Sequence, residues 1–290
     1  IPVKEGYTFA GWYASRVFKG DPVTSIPSGN LNSLTLYACW KEEGDVVEPS
    51  VVPASFITEN QVFQRGKPIV ISGTGTDGVE VSVDFNNTNK TTTIVDGKWK
   101  VSFEPLEASF DAKTLTISGD GNNYVFHNIL IGDVWLCGGQ SNMEYQICWL
   151  NGWGVDKVGE FGELHNFDKI RIFRQYVSGD TASEASADNM HCDRWYIGNS
   201  VNDFLTCCAI GVVFANRLAE ALDCPIGIIN SNRGGTVIEE WLSAESLAIC
   251  GSSLPDNELK NPESRDSRFY ETMTSKFVGA DLSIKGVLWY

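Results

Sequence analysis

Thirteen consecutive residues, Gly132 to Glu144, reading GDVWLCGGQSNME, limit most strongly what this chain can fold into. Val134, Trp135, Leu136 and Cys137 form a short apolar run of the kind that makes a buried strand. Gly138 and Gly139 then permit a sharp turn with unusual backbone angles. Ser141 follows, flanked by Gln140 and Asn142. A strand, a glycine turn and a serine place a hydroxyl at the carboxyl end of a strand, where open α/β sheets put their ligand sites. A helix starting there leaves its first N–H groups free to stabilise an anion. That is half of an acyl-transfer site, a nucleophile with oxyanion donors beside it. The same residues equally describe a Gly-Gly turn followed by a serine that only caps a helix.

GDVWLCGGQSNME closely resembles the first sequence block of the sialate O-acetylesterase-like carbohydrate esterases, a branch of the SGNH serine hydrolases. The resemblance implies that Ser141 is the nucleophile and that Gln140 and Asn142 beside it contact substrate. The strand-and-glycine logic recurs further on. Ile226 to Ile229 reads as a buried strand running into Asn230–Thr236, with Gly234 and Gly235 at the turn and a helix expected from Ile238 through Leu242. GIINSNRGGTVIEEWLS resembles the second block of the same family, whose Gly supplies an oxyanion-hole amide. This implies Gly235 in that role, with Gly234 as second choice. Glu239 and Trp241 match the family's Ile-Glu-x-Trp wording. Glu239 is therefore a candidate for the substrate site, and equally an exposed acid in the first turn of a helix.

The chain has 290 residues, 42% of them hydrophobic, enough for two or more domains with their own cores. A formal net charge of −15 argues against nucleic-acid partners and against docking on anionic membranes. No apolar run is long enough to span a bilayer, so no membrane insertion is expected. The eight Cys show no small disulfide framework, and Cys207 and Cys208 are adjacent. Most are expected buried and free, the alternative being one bridge among Cys192, Cys207 and Cys208. No Cys or His spacing suggests a metal site, and no metal or organic cofactor is expected.

Taken in order, residues 1–42 carry GYTFAGWY and LTLYACW, short aromatic strands of a small β module. They resemble part of the Listeria–Bacteroides repeat, a β-grasp-like repeat of bacterial surface proteins, which implies a secreted or cell-surface bacterial protein. Residues 43–54 read as a linker. Residues 55–128 hold several short alternating strands separated by Thr76-Asp77-Gly78, Asn86-Asn87, Asp96-Gly97 and Asp120-Gly121, the signature of an antiparallel sandwich. The wording NQVFQRGKPIVISG and DGKWKVSF resembles the sandwich that precedes the catalytic domain in these esterases. From residue 129 to 290 the pattern is α/β. A helix is expected over Phe204–Leu222, burying Val213, Phe214, Leu218 and Leu222 and exposing Arg217 and Glu220. A buried strand is expected over Ile284–Tyr290. Trp195 and Tyr196, in a long irregular connection, either stack on a sugar ring or anchor the loop. The fold class expected is thus multidomain: a partial β-grasp-like repeat, a β-sandwich and an incomplete α/β hydrolase domain of the SGNH, flavodoxin-like kind.

A serine nucleophile needs a base. The family pattern continues after IKGVLWY with Gln-Gly-Glu, a nearby Asn and, far downstream, Asp-x-x-His. None of these is present, and His127, His165 and His191 match no such motif. The expectation is a piece of a longer reading frame, cut at both ends and inactive alone. The whole would be a carbohydrate O-acetylesterase acting on acetylated sialic acid or a related acetylated glycan. The alternative is a non-catalytic carbohydrate-binding or surface-adhesion protein. A lipase layout is disfavoured because Ser141 lacks the Gly-x-Ser-x-Gly elbow. The sugar and the oligomeric state are not legible in the sequence.

Overall fold

The structure, a computed structural model, describes residues 2, 4, 6–13, 23, 35–42, 50–149, 164–175, 194–251, 267, 269–278 and 281–290. The chain divides into two units, Ile1–Glu48 and Pro49–Tyr290. In the first, β1 (Tyr7–Tyr13) and β2 (Tyr37–Glu42) pair antiparallel, with an irregularity between Phe9 and Gly11. Phe9 sets its ring edge-on to Trp12 and Trp40, with centroids 5.4 and 5.5 Å away.

The second unit begins with β3 (Val51–Pro53), β4 (Val62–Gln64), β5 (Ile69–Gly75), β6 (Glu80–Phe85), β7 (Thr88–Thr93), β8 (Lys98–Phe103) and β9 (Ser109–Gly119). Residues 43–49 of the expected linker lie outside the described residues, but Val51–Pro53 is not linker: it pairs with β5 at the edge of a three-stranded sheet, β3-β5-β8. Period-two alternation does what it should. Val81, Val83 and Phe85 of β6, Trp99, Val101 and Phe103 of β8, and Leu115 and Ile117 of β9 all point into the core. The hairpin turns have both central residues at positive φ: Asn86 and Asn87, Asp96 and Gly97, Asp120 and Gly121. That backbone matches the twist of the flanking strands, and Asn, Asp and Gly tolerate it best.

The 18-residue β10 (Asn122–Gly139) joins the two halves of this unit. Its first part pairs antiparallel with β9 and parallel with β4. After two irregularities between Phe126 and Ile131, with Asn128 at φ 57°, it becomes the central strand of a parallel sheet. There β10 lies between β13 (Ile226–Asn232) and β14 (Gly286–Trp289), and β11 (Ile170–Arg174) and β12 (Arg194–Tyr196) extend the β13 side. Only β12 runs antiparallel to its neighbour. A strand thus crosses the expected 128/129 boundary. One apolar core spans it too, from Val81 and Phe103 to Val134, Phe173, Ile229 and Phe277.

The seam is also pinned by charge. Arg65 donates from Nε and Nη2 to the two carboxylate oxygens of Asp133, each at 2.8 Å, and Gln64 Nε2 donates at 3.1 Å. Gln64 Oε1 accepts the Val134 N–H at 2.9 Å. Burial pushes the Asp133 carboxyl upward, but the hydrogen bonds from Arg65 and Gln64 and the Arg65 charge outweigh it and hold it below the usual carboxylate range.

Sequence expectations change at three elements. The helix α2 (Ala209–Leu222) starts later than Phe204, because Val201–Phe204 forms a separate 3-10 turn capped by Ser200 and Asp203. Its sheet-facing stripe is not Val213, Phe214, Leu218 and Leu222 but Ala209, Gly211, Val212, Ala215 and Ala219. These small residues let the helix lie close on Cys137 and Ile228. The larger Val213, Phe214 and Leu218 pack on the flanks, and Leu222 is exposed. The segment from Ile238 is a 3-10 turn ending at Trp241, not a helix. Finally, β14 is an edge strand with Val287 and Trp289 half-exposed, not a buried one, since no described strand pairs with its outer side.

Candidate active site

The parallel register aligns the carboxyl ends of β10 and β13, with Gly138 beside Ser231 and Gly139 beside Asn232. Gly139 has φ 129°, and a Cβ there would run into the Tyr290 carbonyl oxygen, so the chain can reverse at this point only without a side chain. Gln140 N–H donates to that carbonyl at 2.9 Å. The reversal starts α1 (Ser141–Glu144), whose Met143 and Glu144 N–H groups both donate to the Gln140 carbonyl at 2.9 Å. Met143 is buried against Cys208, while Ser141 and Asn142 face solvent. With four residues, α1 offers individual amides rather than a helix dipole.

Gln140 folds back over the serine. Its Oε1 accepts both the Ser141 N–H, at 2.8 Å, and the Ser141 hydroxyl. The amide expected to stabilise an oxyanion is therefore already occupied in this state.

The second turn arrives from β13. Arg233 N–H donates to the Gly139 carbonyl at 2.9 Å, locking the two glycine turns together. A Cβ built on Gly234 would lie 3.6 Å from Ser141 Oγ. Residues 93 positions apart thus meet at one sheet edge. Gly235 has φ 75° with open space on its side-chain side. Thr236 closes the turn by donating to the Arg233 carbonyl at 2.8 Å, and accepts Trp241 Nε1–H at 2.9 Å. Trp241 is buried, stacked on Phe269 and edge-on to Trp289. It works as the anchor of the glycine turn.

Of the residues singled out from sequence, Ser141, Gln140, Asn142, Gly234 and Gly235 cluster at this edge. Glu239 does not reach Ser141 through any described contact; only its backbone carbonyl is engaged, by Ser267 and Leu242. The buried acid of that segment is Glu240, which accepts the Val237 N–H at 3.1 Å. Trp195 is buried against Phe173, a loop anchor rather than a sugar platform. His127 sits on the sandwich half of β10, hydrogen-bonded through its backbone to Glu59 and Asn60. His165 precedes β11, at the opposite end of the parallel strands from Ser141. His191 and Cys192 lie outside the described residues. Cys137 and Cys208 are buried side by side, and the Cys137 thiol is pushed up by its hydrogen bond with Cys208 and by burial, so it stays protonated. Sequence reasoning gave no role to Glu144 or Arg233. Glu144 Oε2 accepts the Gly234 N–H at 2.8 Å, and Oε1 lies 3.6 Å from Arg233 Nη1. The available signal was an acid three residues after the serine, one helical turn away.

A serine just past the end of the central parallel strand, with a glycine turn from the next strand packed against it, defines a sheet-rich α/β protein whose parallel strands follow an antiparallel part. Comparison with known proteins then identifies the kind. The family model for carbohydrate esterase, sialic acid-specific acetylesterase, matches residues 131–290, and the chain belongs to this family. It is 30% identical over 257 residues to human sialate O-acetylesterase, covering 82% of this chain and 47% of that protein. It is 31% identical over 232 residues to the rat sialate O-acetylesterase. The crystal structure of a carbohydrate acetylesterase from Xanthomonas citri superposes with a TM-score of 0.66 at 26% identity, covering 83% of this chain and 50% of that one. The chain spans about half the length of the curated relatives it matches.

Proposed function

We propose that this chain carries the nucleophile half of a carbohydrate O-acetylesterase, with Ser141 attacking the acetyl carbonyl of an acetylated sialic acid or related glycan. The observation that carries the reading is the packing of the Gly234-Gly235 turn on Ser141, tied by the Arg233 to Gly139 hydrogen bond. The Ser141 N–H, once Gln140 Oε1 moves off it, and the Gly235 N–H stabilise the tetrahedral oxyanion. Such donors are worth about 3 kcal/mol each. The serine proton passes to a histidine that the described residues do not supply. We assign that base to the part of the protein that corresponds to the rest of the relatives' length. The reaction needs no electron transfer: acetyl moves to Ser141 Oγ as the sugar hydroxyl leaves, and water then releases acetate. A secreted or cell-surface placement belongs to the same proposal and rests on the resemblance of residues 1–42 to a surface repeat.

The test is acetate release from an O-acetylated sugar by the full-length protein and its Ser141→Ala variant. Loss of about a thousandfold or more is expected. Activity near wild type in the folded variant sinks the nucleophile assignment. A full-length wild-type protein that releases no acetate but binds the sugar favours the adhesion reading instead.

A further inference from the structure

Glu144 ends α1, and its carboxylate reaches across to the neighbouring strand end. Its backbone N–H is tied to the Gln140 carbonyl at 2.9 Å, so the carboxylate and the Ser141 hydroxyl hang from the same turn. Oε2 takes the Gly234 N–H at 2.8 Å, a charge-assisted bond to a backbone donor. A Cβ on Gly234 would stand 2.6 Å from that same Oε2. Gly234 is not at positive φ, and the space a side chain would take there is filled by the Glu144 carboxylate. The Gly234 amide is thus committed inside the protein. The Gly235 N–H has no hydrogen bond among the described residues.

We infer that Glu144 is a positioning residue of this site: its carboxylate holds the Arg233–Thr236 turn against α1, consumes the Gly234 N–H, and leaves the Gly235 N–H as the turn's donor to the reacting oxygen. The inference rests on the Ser141 reading. The ion pair to Arg233 is secondary. At 3.6 Å, with both side chains partly exposed, it is the long and solvated kind that contributes little. The acceptor oxygen facing Gly234 is the working atom.

The experiment uses the full-length protein, with p-nitrophenyl acetate as substrate and thermal unfolding as the control for folding. In Glu144→Ala the turn loses its tether, and kcat is expected to fall about 10- to 100-fold with KM nearly unchanged. Glu144→Gln keeps an oxygen to accept the Gly234 N–H while removing the charge, and restores kcat to within about threefold of wild type. The inference is overturned if Glu144→Ala keeps kcat within about twofold, or if Glu144→Gln is as impaired as Glu144→Ala. Ser141→Ala separates the two levels: an active Ser141→Ala removes the site reading itself, whereas an inactive Ser141→Ala beside a fully active Glu144→Ala removes only the role of Glu144. Should Glu144→Ala not fold, amide hydrogen exchange at Gly234 decides. Protection in both wild type and Glu144→Gln supports the tether, and exchange at the rate of a free glycine in folded wild type overturns it.

Discussion

Two adjacent glycines in the turn beside Ser141 are glycine for different reasons, and substitution tells them apart. An alanine at Gly234 pushes its Cβ against Glu144 Oε2, the end of a flexible side chain that can swing away. The fold tolerates this, but the Glu144 hydrogen bond to the turn is lost. Gly234→Ala is therefore expected to lower kcat about tenfold while the melting temperature moves little. At Gly235 the space is open but φ is 75°. Gly235→Ala is expected to cost about 1 kcal/mol of stability from the left-handed backbone alone. Paired thermal melts and acetate-release rates check both. Equal loss of stability in the two variants contradicts the assignment.

At the scale of elements, β10 is the member on which the others depend, because its two halves serve two sheets. Asp133 sits where the halves meet and is the buried charge that Arg65 and Gln64 hold in place. Asp133→Asn leaves the Arg65 guanidinium without its counter-charge and is expected to destabilise the unit by about 3 kcal/mol, read by denaturant titration. The pH dependence follows from the sign of the shift. The folded-state carboxyl is held below its unfolded value, so its contribution is fully present above about pH 4. It is lost as pH falls through the lowered folded value. Wild type is expected to lose stability over that acid range more steeply than Asp133→Asn. Parallel acid-unfolding curves for the two proteins contradict the assignment.

For the whole molecule, the continuous strand and the shared core predict that the sandwich and α/β halves of Pro49–Tyr290 unfold together. Tryptophans report from both sides, Trp99 in the sandwich and Trp135, Trp195 and Trp241 in the α/β half. Denaturant unfolding followed by fluorescence and by circular dichroism is expected to give one coincident transition. Two resolved transitions refute the shared core. Separate expression of residues 129–290 is expected to give insoluble chain, since removing residues before Ile129 exposes Val134, Phe173 and Ile229.

Local patterns were enough wherever a residue's neighbours along the chain decided its state. Alternation marked the inward faces of β6 and β8, Asn-Asn and Asp-Gly fixed the hairpin turns, and the two glycine-punctuated strand ends that the sequence singled out do lie side by side. Local patterns failed where the deciding neighbour lay on another element. The buried stripe of α2 was misread because Val213, Phe214 and Leu218 are bulkier than the alanines that let the helix approach the sheet. Glu144 had no visible role because its partners, Arg233 and Gly234, come 89 and 90 residues later. Asp133 drew no role from the sequence because its partner Arg65 lies 68 residues earlier. By itself the sequence determined most of the strands and the turns and singled out a serine at a strand end, because backbone preference and side-chain period are local properties. Which amide is spent on structure, which acid is buried and which half of the chain supports the other were decided only by the tertiary structure, because hydrogen bonds and packing depend on distance in space.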